Sequence, residues 1–188
     1  MALVLASASP RRRELLSRLV SDFLVIPSHD EETAKPESAP HERVVALARA
    51  KALDVAGRHG GVILAADTLV VLGNEVLGKP RSRGDARAML GRLAGREHAV
   101  LTGVCILRTS DGEERSFCEE TAVKFRPICD DEIDTYLEIG EYEDKAGGYA
   151  IQGRAAAFVE AICGDYTNVI GLPLCRVSVA LRALGVHV

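Results

Sequence analysis

The segment GVILAADTLVVLGNEVLGKP, residues 61–80, decides how the chain is read. Gly61 to Leu72 is almost wholly apolar and ends at Gly73-Asn74, a pair suited to a two-residue hairpin turn, so a returning strand over Glu75 to Gly78 is predicted. Lys79-Pro80 ends that strand. With Leu72 facing Glu75, counting back along the ladder brings Thr68 opposite Lys79 and places Asp67 and Lys79 at the hairpin's open end. Asp67 is the anomaly of the segment. A carboxylate buried without a partner is expensive, so this position calls for a cation, a metal or a shifted pKa, the alternatives being a structural ion pair or a turn cap.

Working outward, Ala2 to Ala6 reads as a short buried strand followed by a helix carrying Leu15, Leu16 and Leu19, with Ser9 as N-cap and Pro10 as first helical residue. A second strand is expected near Phe23 to Pro27, then the acidic turn Asp30-Glu31-Glu32 and a proline-containing loop to Pro40. Val44, Leu47, Ala48 and Val55 mark an amphipathic helix. Further along, Ala86, Met89, Leu90 and Leu93 fall at helical spacing, and two long β-like runs flank the Asp111-Gly112 turn. Asp130 to Ile139 reads as a short helix, Gly147 to Gly153 as a loop, Ala157 to Ile162 as a strand, and Leu174, Val177, Ser178 and Leu181 as the face of a closing helix. Helices and strands interleave and hairpins occupy the middle, so the fold class is α/β with a mixed sheet and flanking helices, over a single domain spanning residues 1–188.

The 188 residues carry 23 Lys and Arg against 27 Asp and Glu, a formal charge of −4 that gives no overall positive field for a nucleic acid. Four phenylalanines and four tyrosines are too few for a base-stacking platform. No apolar run reaches the length of a membrane span and no signal peptide is recognisable, so a cytoplasmic protein with no membrane partner is expected. The five cysteines are widely spaced without CxxC, which argues against disulfides and zinc and for small reduced core residues. The five histidines form neither HxxxH nor HExxH, and Ser7 and Ser9 lack a GxSxG elbow.

The chemistry-bearing residues lie elsewhere. In Ser7-Ala8-Ser9-Pro10-Arg11-Arg12-Arg13 a strand meets a helix N-terminus where backbone N–H groups, two hydroxyls and guanidinium groups converge, the ingredients of a phosphate cradle to which Ser7, Ser9 and Arg12 belong. Lys51 follows Ala48, Leu47 and Val44 by three, four and seven residues and shares their face, either as a snorkelling lysine or as one directed into a cleft. The acidic turn offers Glu32, with Glu31 beside it, as a carboxylate for Mg²⁺ or Mn²⁺. In Asp144 to Gly153 the glycines suit a close-approach loop, and the amide of Gln152 is able to read a base edge by paired donor and acceptor.

Taken in order, Leu5-Ala6-Ser7-Ala8-Ser9-Pro10-Arg11-Arg12, Ala66-Asp67-Thr68, Gly78-Lys79-Pro80, Asp144-Lys145-Ala146-Gly147, Ile151-Gln152-Gly153 and Gly171-Leu172-Pro173 resemble the Maf family of nucleoside triphosphate pyrophosphatases. The resemblance implies an inosine-triphosphatase-like α/β fold with two lobes around a deep cleft, and metal-dependent hydrolysis of a nucleotide to its monophosphate and pyrophosphate. Carried over by position, Asp67 resembles the family's proton acceptor, and Arg11, Thr68 and Gln152 fall where the family sets its base preference. Ser7, Arg12, Glu32, Lys51 and Lys79 match positions around the phosphates and the divalent metal, with Asp67 a second metal ligand beside Glu32. The Thr68 and Gln152 pattern is similar to the branch acting on dTTP and UTP; the alternatives are the 7-methyl-GTP branch and a nucleotide-binding regulator of septum formation and cell-division arrest. Arg13 and Gly78 depart from the family pattern outside these positions. Exposed β edges near the central hairpins offer a route to a homodimer.

Overall fold

A computed structural model describes residues 2–29 and 39–188. Seven strands form one mixed sheet among the described residues: β1 (Leu3–Leu5), β2 (Leu24–Val25), β3 (Val62–Leu72), β4 (Glu75–Leu77), β5 (Glu97–Arg108), β6 (Glu113–Phe125) and β7 (Val159–Cys163). Their order is β2-β1-β3-β5-β6-β7, with β4 pairing β3. The helices are α1 (Pro10–Ser17), α2 (Pro40–Ala56), α3 (Arg83–Leu93), α4 (Asp130–Glu138), α5 (Tyr166–Ile170) and α6 (Leu174–Ala183). The α/β class with a mixed sheet is therefore the one expected. The chain divides into two compact units, one of residues 1–68, 102–119 and 171–188, the other of residues 69–101 and 120–170.

In the first unit β1 runs parallel to both β2 and β3, with Leu5 opposite Val25 on one side and Leu64 on the other. Parallel neighbours require crossovers, and α1 and α2 provide them. α1 starts as its sequence dictates: Pro10 occupies the first turn and the Ser9 hydroxyl accepts the Arg12 backbone N–H. α2 buries Val44, Leu47, Ala48, Ala52 and Val55. Ala48, Ala52 and Val55 pack with Val4, Ala6, Ile63, Ala65 and Cys105 into one cluster. Small residues let this helix approach the sheet closely, above all at Gly103, where a Cβ would stand 2.2 Å from the Val44 carbonyl oxygen.

In the second unit an aromatic cluster fills the core. The His98 ring meets Phe125 and Tyr149 edge-on at centroid distances of 5.0 and 5.5 Å, and Phe158 joins Phe125 to Tyr136. Desolvation holds the His98 imidazole down at a pKa of about 4. The same cause pushes the Tyr149 phenol above its usual range.

The hairpin register agrees with the turn chemistry at Leu72↔Glu75, Val71↔Val76 and Val70↔Leu77, but the ladder stops there. The extension to Thr68 and Lys79 is not a strand pair, because β4 ends at Leu77, three residues before Pro80. The expected cysteine role also needs correction. All five are free, yet Cys129, Cys163 and Cys175 are exposed and only Cys105 is buried, its thiol pushed up to about 11 chiefly by desolvation. Cys118 lies in β6, Cys129 at the N-cap of α4, Cys163 at the end of β7 and Cys175 in the first turn of α6, positions that spacing alone could not distinguish from core.

Candidate functional site

The site of the first unit is assembled where β1 ends. β1 stops at Leu5 while its parallel neighbour β3 continues to Leu72, so Ser7 and the start of α1 follow the carboxyl end of a strand, the usual ligand position in open α/β sheets. Along β3 the burial is broken at Asp67 and Thr68, two half-buried residues in a row of buried ones. Both are tied to the helices around them.

Asp67 accepts from Lys51 through Oδ1, and both side chains are mostly buried. Lys51 ends on Asp67 rather than in open solvent, and α2 thereby supplies a cation to the carboxylate. A helix-to-strand contact spanning 16 residues of sequence left no mark in the local pattern.

Arg12 is held from three sides. Its Nε donates to the Gly171 carbonyl oxygen at 2.8 Å, Nη1 to Ser7 Oγ at 3.3 Å, and Nη2 to Thr68 Oγ1 at 3.0 Å. Burial pulls its pKa below the ordinary arginine value, Asp67 opposes that shift, and Arg11 adds to it. Thr68 Oγ1 in turn lies 3.0 Å from Thr102 Oγ1, a hydroxyl fully buried on β5. Ser7 Oγ also accepts the Ser9 backbone N–H at 3.2 Å. Thr102 and the Gly171 carbonyl were missed by sequence reasoning. The first is a neutral residue inside a β run, and the second is a backbone atom. Gly171 has φ +121°, and a Cβ there would sit 3.4 Å from Arg12 Nε and Thr68 Oγ1, so a glycine is required beside the guanidinium.

Ser7, Ser9, Arg12, Lys51, Asp67 and Thr68 thus form one network, with Arg11 half-buried and close enough to act on Arg12 by its charge. Lys79 and Gln152 belong to the second unit and are exposed. Glu32 lies outside the described residues. Among the described residues no three His, Cys, Asp or Glu side chains converge on a metal position. A single carboxylate such as Asp67 still suits Mg²⁺, which is commonly held by one or two carboxylates and completes its shell with water and substrate phosphates. The arrangement as a whole sets a carboxylate among fixed cationic donors at a strand's carboxyl end.

Comparison with known proteins agrees with this geometry. A protein of Thermococcus gammatolerans named dTTP/UTP pyrophosphatase is 50% identical over 186 residues, covering 99% of this chain and 98% of that protein. One of Syntrophus aciditrophicus with the same name is 48% identical over 184 residues, covering 97% and 90%. Among solved structures, a HAM1 protein from Coxiella burnetii superposes with a TM-score of 0.52 at 15% identity, covering 97% of this chain and all of that one, which is a likeness of fold. Residues 2–184 match the family described as Maf-like protein, and the chain belongs to it.

Proposed function

We propose that this protein is a nucleoside triphosphate pyrophosphatase that hydrolyses dTTP and UTP to the monophosphate and pyrophosphate, working as one Maf-like domain in the cytoplasm. The observation that carries the reading is the fixed pair of Asp67 with Lys51 beside the clamped Arg12. The names of the relatives support the choice of nucleotide. No helix of the described residues is long and apolar enough to cross a membrane.

Lys51 engages Oδ1 and so orients the Asp67 carboxylate, leaving Oδ2 to take a proton from a water. As that proton moves to Oδ2, the water oxygen bonds to the α-phosphorus and the bond from the α-phosphorus to the bridging oxygen breaks, with pyrophosphate departing. Arg12 uses three of its five N–H groups on protein acceptors and keeps one on each Nη for phosphate oxygens. Ser7 Oγ accepts twice and keeps its own proton to donate, and Ser9 caps the helix end that adjoins it. Lys79 supplies a further charge to the triphosphate, and Arg11, Thr68 and Gln152 set the base preference. A divalent cation, Mg²⁺ or Mn²⁺, would be held by Asp67 and Glu32 and would neutralise charge on the triphosphate.

The test is pyrophosphate release from dTTP, UTP, CTP, GTP and 7-methyl-GTP, with Mg²⁺ or Mn²⁺ and with chelator. Metal-dependent release from dTTP and UTP is expected. Asp67→Asn keeps the size of the side chain but removes the base, so kcat is expected to fall by about 10²-fold or more with the melting temperature little changed. Full turnover in that variant would refute the assignment of Asp67, and release confined to 7-methyl-GTP would refute the base preference.

A further inference from the structure

Gln152 sits third in the turn Ala150 to Gly153, closed by the Gly153 N–H donating to the Ala150 carbonyl at 3.0 Å. Ile151 is buried while Gln152 is exposed, so the turn is anchored by one side chain and presents the next. What fixes the turn comes from outside it. On the entering side, the Ala150 N–H donates to Tyr136 Oη at 3.1 Å, and the preceding Tyr149 places its hydroxyl 2.8 Å from His98 Nε2. On the leaving side, the Arg154 N–H donates to Glu141 Oε2 at 2.8 Å. Glu141 also lies against the turn itself. A Cβ added at Gly153 would stand 2.0 Å from Glu141 Oε2, so the glycine is what lets the carboxylate reach the backbone.

We propose that Glu141 is a positioning residue for base selection: its carboxylate, seated over Gly153 and bonded to the Arg154 N–H, holds the backbone from which Gln152 projects. The proposal rests on the reading of Gln152 as the group that senses the base. An amide distinguishes bases only if its donor and acceptor are aimed, and a side chain with χ freedom is aimed first by its backbone. Glu141 does this without touching substrate, so losing it disturbs selection among bases rather than turnover as such.

The experiment measures kcat/KM for dTTP and for CTP in the full chain and compares their ratio across variants. Q152A is expected to lower the dTTP-to-CTP ratio by about tenfold, the discrimination one well-placed hydrogen bond supplies. E141A is expected to lower it comparably, whereas E141Q, whose amide oxygen still accepts from Arg154, retains it. G153A dislodges Glu141 without altering it, so it is expected to act like E141A, and the double variant E141A/G153A is expected to be no worse than either alone. General loss of structure would lower both substrates together and leave the ratio unmoved. A wild-type ratio in E141A alongside a reduced one in Q152A overturns the proposal and spares the reading of Gln152. A wild-type ratio in Q152A overturns that reading, and the proposal with it. If E141A melts early, G153A decides in its place.

Discussion

Arg12 owes its usefulness to what already surrounds it. A free arginine gives up considerable side-chain entropy when it clamps a phosphate, and here Gly171, Ser7 and Thr68 have already taken that freedom away. Thr102 stands behind Thr68 and has no route to solvent. Thr102→Val removes the hydroxyl while keeping the shape, leaving Thr68 without that partner and Arg12 less firmly held. We expect kcat/KM for dTTP and UTP to fall by roughly tenfold, with Thr102→Ser restoring most of it. Steady-state kinetics on dTTP and UTP check this, and an unchanged Thr102→Val would show that Thr68 holds Arg12 unaided. The residues differ in how far sequence betrayed them. Asp67 was visible because a charge interrupting an apolar run is costly, and Ser9 because a hydroxyl before a proline is a capping signal. Thr102 was not, since a threonine is at home in any strand and its value here depends on a neighbour 34 residues away.

At the scale of elements, the turns and helices follow from local chemistry and the contacts between them do not. Asn74 after Gly73 predicted both the hairpin and its register, which holds over three pairs. The amphipathic stripe of α2 predicted its buried face. The five residues of α5 escaped notice, being too few to display a helical period. The closeness of α2 to the sheet was equally hidden, because Gly103 has no pattern of its own. It matters because α2 carries Lys51, and any outward shift of the helix draws the ammonium from Asp67. Gly103→Ala would place its Cβ 2.2 Å from the Val44 oxygen and 2.7 Å from the Val45 nitrogen, backbone atoms that no rotamer change can move aside. We expect a loss of about 1–3 kcal/mol of stability from overpacking, together with a lower kcat. Thermal melting and turnover measured on the same sample check it. A lowered melting temperature with full turnover would show that Lys51 follows Asp67 through the displacement.

For the whole molecule, the titrating groups point to a protein that loses stability in acid in two stages. His98 is the first. Its folded pKa, about 4, lies below the ordinary 6.5 because the imidazole is desolvated among Phe125 and Tyr149. A group whose pKa is depressed on folding is bound by more protons in the unfolded chain between the two values, so stability is full above pH 6.5 and falls as pH drops toward 4. The loss available from this one group is about 3 kcal/mol. Carboxylates make the second stage. Asp54 is held at about 2 by the His29 backbone N–H and Arg58, Asp111 by Arg108 and the Glu113 backbone N–H, and Glu132 by Arg126 and the Cys129 backbone N–H. Their contribution is complete above their unfolded values near 4 and disappears as pH falls toward 2. Being partly or wholly exposed, they soften the slope rather than govern it. The variant His98→Gln separates the stages, since an amide can still reach the Tyr149 hydroxyl but does not titrate. Denaturant unfolding measured from pH 7.5 down to pH 4 is expected to show a decline beginning near pH 6.5 in the native chain and a flat line down to about pH 4.5 in the variant. A decline of equal slope in both would place the acid sensitivity in groups other than His98.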